Sequence, residues 1–189
     1  MRKLAFIPTR EAKERPIKTF LEKAGWVVHY LVNESSIFEA YTKAFKDNNI
    51  IAKDKVILCH DDIQILNTPE MFNEVVDKNL TKDVAFLGIA GPQRLNKTSC
   101  WWHDECFPTY YGGYGEVEVL DGLLLITTGS TLNNIKTSKP KEFSSDWDYY
   151  DMYYTLQANR KGKKNNVVPL MVLHSSQGEG AMSEEWNES

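Results

Sequence analysis

The feature that most constrains this chain is an alternation of short, wholly apolar runs with stretches of helical periodicity. Residues 3–8 form one apolar run, 26–32 a second, 55–59 a third and 84–90 a fourth. Between the first two, 10–24 sets Ile17, Phe20 and Leu21 on one helical face with Gly25 just past its end. Ser35 or Ser36 caps a second helix running to about Lys46, and Thr68-Pro69 opens a third that carries Met71, Phe72, Val75, Val76 and Leu80. Strands that are apolar throughout and separated by helices predict an α/β fold, with a mainly parallel central sheet and helices on both faces.

The third strand stops abruptly on His60-Asp61-Asp62. In α/β sheets the crevice beyond the carboxyl ends of the strands is where ligands bind, so carboxylates stationed there face a ligand. Two adjacent acids suggest a hard cation and a phosphate. A last apolar strand, 166–173, also ends on a histidine, His174. Residues 93–115 read as a long loop rich in large aromatic groups, and loops of that length and composition are usually functional. Gly112-Gly113-Tyr114-Gly115 lacks the spacing and the following helix of a dinucleotide fingerprint and reads as a turn. Residues 116–127 hold two strand-like runs interrupted by Asp121-Gly122, and 151–161 form a helix closed by Gly162.

A length of 189 residues with 42% hydrophobic content suits one domain, expected over 1–178, with 179–189 as a frayed acidic tail. The net charge of −4, with acids and bases interspersed, argues against nucleic acid as a partner. No apolar run reaches the ~20 residues of a transmembrane helix. The start of the chain has no signal-peptide core, which points to the cytoplasm. Three cysteines make an odd number and read as reduced thiols. Cys100, His103 and Cys106 have a metal-like spacing but lack the second pair that structural zinc needs.

Several motifs, in order, resemble the GT-A glycosyltransferases, specifically the family-2-like group of the streptomycin biosynthesis protein StrF type. These are His60-Asp61-Asp62-Ile63, Gly88-Ile89-Ala90-Gly91, Trp101-Trp102, Leu120-Asp121-Gly122-Leu123, Trp147-Asp148-Tyr149-Tyr150-Asp151 and His174-Ser175-Ser176-Gln177-Gly178. The resemblance spans Leu4 to about Gly178. It implies a Rossmann-like GT-A domain that transfers a hexosyl or deoxyhexosyl group, with inversion, from a UDP- or GDP-linked sugar to an acceptor hydroxyl, in the manner of glycan biosynthesis.

The resemblance also assigns roles. A Mn2+ or Mg2+ ion on the diphosphate would be held by Asp62, with Asp61 assisting and His174 completing the site. His60 takes the place of the first acid of the usual D-x-D, nearer the nucleoside, and Thr9, Arg10 and Asn33 would contact base, ribose or phosphate. Asp151 stands at the position of the general base, with Asp148 competing for that role. Asp121, Gly122, Trp101 and Trp102 would meet sugar or acceptor. Departures at Thr42, His60 and Tyr153 keep an alternative open: a non-catalytic sugar-nucleotide-binding module, or a degenerate transferase within a larger assembly. A metal-dependent phosphohydrolase built on His60-Asp61 fits less well, because such dyads lie on helices among further histidines and this chain has 4 in all.

Overall fold

The computed structural model describes residues 1–92, 103–106 and 109–175. The first half runs β1 (Lys3–Thr9), α1 (Pro16–Lys23), β2 (Val27–Val32), α2 (Ile37–Asp47), β3 (Lys55–Cys59), β4 (Ile63–Ile65), α3 (Pro69–Asn79) and β5 (Val84–Gly88). The second half runs β6 (His103–Cys106), β7 (Thr109–Gly112), β8 (Gly115–Val117), β9 (Leu124–Thr128), α4 (Gly129–Leu132), α5 (Tyr150–Arg160), β10 (Lys164–Val167) and β11 (Met171–His174).

Seven strands make the central sheet, in the order β2-β1-β3-β9-β5-β10-β8. β2, β1 and β3 are mutually parallel, as are β5 and β10, whereas β9 runs antiparallel between the two sets and β8 antiparallel on the far edge. The mixed α/β fold with a mostly parallel sheet is therefore as the apolar runs predict. The reversal of β9 matters for the site. It begins where β3 ends, with Leu124 opposite Cys59 and the His60 amide donating to the Leu123 carbonyl at 3.2 Å, so Asp121 and Gly122 arrive beside His60.

Side-chain alternation along the strands divides the core in two. Ala5, Ile7, Ile57 and Ile126 face a cluster with Ile17 and Leu21 of α1 and Phe72 and Val76 of α3. Leu4, Phe6, Leu58 and Leu125 face the opposite cluster, with Phe38 and Tyr41 of α2 and Tyr154 of α5. The helix starts obey their caps: Ser36 accepts from the Glu39 amide and Thr68 from the Met71 amide, each through its hydroxyl oxygen.

A second, antiparallel sheet of four strands, β4-β11-β7-β6, lies beyond the carboxyl end of β3. Three sequence expectations are corrected here. The helix expected from residue 10 starts at Pro16, because proline is stable at the first helical position, where its missing N–H has no partner to lose. That leaves 10–15 as a loop at the mouth of β1. The expected loop 93–115 contains β6 and β7, and β7 is held by pairing with β11, a contact distant in sequence. The single strand expected over 166–173 is two, broken at Pro169, so that β10 belongs to the central sheet and β11 to the small one.

Trp101, Trp102, Cys100 and the expected tail 179–189 lie outside the described residues. Cys59 is a free, buried thiol, and burial raises its pKa. Among the described residues no helix is long and apolar enough to cross a membrane.

Candidate functional site

Antiparallel pairing of β4 with β11 puts His174 opposite Ile63, the residue after Asp62. His60 reaches the same point from the end of β3. The donor atoms of His60, Asp62 and His174 all lie within 4.8 Å of one another. His174 Nε2 is 3.3 Å and His60 Nδ1 4.0 Å from the same Asp62 oxygen, Oδ1, and the two imidazoles meet edge to face with centroids 5.7 Å apart.

The donor set fits a divalent ion. Octahedral donors at ~2.1 Å from a metal stand ~3.0 Å apart when adjacent and ~4.2 Å when opposite, so the three need only a small contraction. Two imidazoles and one carboxylate suit a first-row transition ion such as Mn2+ better than Mg2+, which demands oxygen. Desolvation lowers the His60 pKa against the opposing charges of Asp121 and Asp62, a shift tempered by a side chain that stays 41% exposed, and its direction favours the neutral, ligating form. The Asp62 hydrogen bond raises that of His174.

Asp61 is turned the other way. Its Oδ2 accepts from the Thr9 hydroxyl at 2.6 Å and pairs with Arg15 at 3.0 Å, so it stands apart from the three converging donors. The pair belongs to a cleft of about 640 Å3 that also takes in Arg10, Asn33, Glu34 and Trp147. Thr9, Arg10 and Asn33 thus come together as the sequence suggests, at the ends of β1 and β2, and Asn33 adopts a left-handed backbone (φ 53°) just past β2. Sequence reasoning missed Arg15 as a cleft residue. Pro16 was the available signal, since it places Arg15 in the loop before the helix. The cleft adjoins the metal-type cluster through the consecutive residues Asp61 and Asp62.

Asp151 sits in the first turn of α5. Its Oδ2 accepts from the Gly122 amide and its Oδ1 from the Met152 amide, both at 2.7 Å. Desolvation, then the charge of Asp121, pushes its pKa up to about 7. Asp121 in turn accepts from the Leu123 amide at 2.8 Å through Oδ1, in a tight Asx turn. The Asp121 charge acts on Asp151, His60 and His174 alike. Asp148 is instead tied into a local turn, its Oδ2 accepting from the Ser145 hydroxyl at 2.7 Å. Between the two acids Tyr149 has a left-handed backbone (φ 63°), which is rare for a bulky residue and clusters at functional sites.

No family model and no curated protein matches this chain. The fold does have a solved counterpart. The chain is similar to the A197 protein from STIV, with a TM-score of 0.60 over 94% of this chain and 87% of that one, at 15% identity. At that identity the A197 likeness concerns the fold: the backbone arrangement that carries the site has been seen in another protein. The site chemistry rests on the side chains described above.

Proposed function

We propose that this chain is a GT-A glycosyltransferase of the family-2-like type, moving a hexosyl or deoxyhexosyl group from a UDP- or GDP-linked sugar to a hydroxyl of a glycan acceptor. The observation that carries the reading is the convergence of His60, Asp62 and His174 beside a nucleoside-sized cleft, with Asp151 on the same edge of the sheet. The insertion of the antiparallel β9 between two parallel sets, which delivers Asp121 and Gly122 to that edge, supports the GT-A assignment.

His60, Asp62 and His174 would hold a divalent ion, Mn2+ in preference to Mg2+, and when bound it would supply Lewis-acid neutralisation of the diphosphate leaving group. The cleft residues Thr9, Arg10, Asn33 and the Arg15–Asp61 pair bind the nucleoside end, with Trp147 as its exposed aromatic wall. Asp151 accepts the proton of the attacking hydroxyl. A base is most effective when its pKa lies near the working pH, and about 7 meets that condition. Attack from the face opposite the diphosphate inverts the anomeric centre.

The non-catalytic alternative draws on Tyr153, which stands two residues beyond Asp151 at a position the family often fills with a second acid. Its partly buried ring packs against Phe38 and Phe143 at the margin of the core. The raised pKa of Asp151 favours turnover, since a purely structural aspartate at a helix start gains by staying ionised.

The test is calorimetric titration of nucleoside diphosphates and their sugars, with and without Mn2+, on the native chain and on Asp62→Ala. Metal-dependent selection of one nucleotide, lost in the variant, supports the transferase. Absence of binding to every nucleotide by folded protein overturns it. Metal-dependent binding with no sugar released to any acceptor favours the binding module.

A further inference from the structure

The opposite edge of the central sheet carries a second cavity, of about 580 Å3. Its walls come from the segments that precede β3, β5 and β10 and from the segment that follows the antiparallel β9. All four lie at the end of the sheet away from His60, so the cavity is separate from the candidate active site. Its volume is within the ~300–1,000 Å3 of small-molecule sites.

Its lining joins two chemistries. Leu80, Val84, Ile135 and Ala158 give an apolar floor, and Lys82, Lys161 and Lys163 stand at the rim. No aspartate or glutamate lines it. None of the three lysines enters an ion pair among the described residues. Lys163 donates to the Lys82 carbonyl at 2.8 Å and Lys161 to the Asn134 carbonyl, which leaves their positive charges uncompensated and further N–H groups free. The neighbouring backbone amides are already used, Gly129 by the Asp54 carbonyl and Ser130 by the Ala52 carbonyl, so attraction for an anion comes from the side chains.

We infer that this cavity binds a small organic anion, a phosphate or carboxylate carried on an apolar body, with the acid group among Lys82, Lys161 and Lys163 and the body on the Leu80–Ile135 floor. An apolar ring or short chain fills the floor, and three ammonium groups with no carboxylate among the lining residues select charge over neutral polarity. This inference is independent of the proposed sugar transfer, since no residue is shared between the two sites.

The test is a titration of the full chain, followed by amide chemical shifts, with phenyl phosphate, benzoate, inorganic phosphate and neutral phenol as probes. The expected result is saturable shifts at Thr81, Lys82, Ser130 and Lys161 with phenyl phosphate or benzoate, and weaker ones with inorganic phosphate or phenol. The ratio of phenyl phosphate to benzoate affinity separates a phosphate from a carboxylate site. The triple variant Lys82→Gln, Lys161→Gln, Lys163→Gln should bind about tenfold or more weakly, while its spectrum elsewhere stays native. Leu80→Ser should weaken phenyl phosphate but not inorganic phosphate. The inference is overturned if no probe shifts these amides up to millimolar concentration, if phenol binds as well as phenyl phosphate, or if the triple variant binds as the native chain does.

Discussion

The Gly122 amide and the Asp151 carboxylate hold each other, the amide donating to Oδ2 at 2.7 Å while the Tyr150 hydroxyl donates back to the Gly122 carbonyl at 3.0 Å. A Cβ at position 122 would lie 2.4 Å from that hydroxyl and 3.2 Å from the Asp151 Cβ, so the first turn of α5 fits only against glycine. Gly122→Ala therefore shifts Tyr150 and Asp151 together. A displacement of that kind typically costs about 100-fold in turnover and overpacking about 1–3 kcal/mol in stability. Mn2+ affinity, measured by electron paramagnetic resonance, should stay at the native value, because the candidate donors His60, Asp62 and His174 come from the β3–β4 connection and β11.

The raised pKa of Asp151 gives a pH signature. Its folded value, about 7, lies above the unfolded carboxylate value, so the folded state holds a proton that the unfolded state releases. The stabilising contribution is complete below the unfolded pKa near 4 and disappears as pH rises through about 7. Asp151→Asn keeps an oxygen for the Gly122 amide but carries no charge. Chemical denaturation should find it more stable than the native chain at pH 8 by about 1–3 kcal/mol and equal to it near pH 4. Turnover of the native chain should rise with pH through about 7, and that of the variant should be lost at every pH.

Two imidazoles in the donor set predict a preference among ions. Mn2+ should bind at least about tenfold more tightly than Mg2+, and His174→Ala should narrow that gap by weakening Mn2+ more than Mg2+. Direct titration of each ion reads this without any substrate. Equal affinities in the native chain would mean that the imidazoles do not ligate.

Asp54 is a structural acid remote from the site. It is fully buried, accepts from the Arg2 amide at 3.1 Å and the Ile51 amide at 3.0 Å, and pairs with the Arg2 guanidinium, which with those bonds lowers its pKa to about 2. Here the folded value is the lower one, so the stabilisation is present above the unfolded pKa near 4 and is lost as pH falls through about 2. Asp54→Ala should cost about 1–3 kcal/mol at neutral pH, the usual penalty for stripping partners from buried donors. A thermal melt series from neutral to acid pH should show the two chains converging.

The contrast between Asp61 and Asp62 shows how far the sequence could be read. The strand ending on His60-Asp61-Asp62 was visible as a pattern, because a parallel strand buried on both faces must be apolar and stops being so at its mouth. Which of two adjacent acids faces the cluster does not follow from that pattern; the family resemblance puts Asp62 first and Asp61 in an assisting place, and Asp61 turns away. That depends on Arg15, brought to Asp61 by a loop whose length is set by Pro16, and on Thr9 from another strand. Long-range pairing was hidden for the same reason. Thr109–Gly112 becomes a strand by pairing with β11, distant in sequence, as well as with its neighbour β6. The break in 166–173 was readable, since proline cannot donate to a ladder, and the apolar character of the run concealed it.

The division of that run at Pro169 has a mechanical consequence. β10 is embedded in the large sheet, β11 in the small one, and His174 at the tip of β11 faces His60 at the tip of β3. An ion gripped from both sides would act as a rivet between the two sheets. Filling the site would then tighten the junction of the two sheets, making the loaded form harder for a protease to cut there.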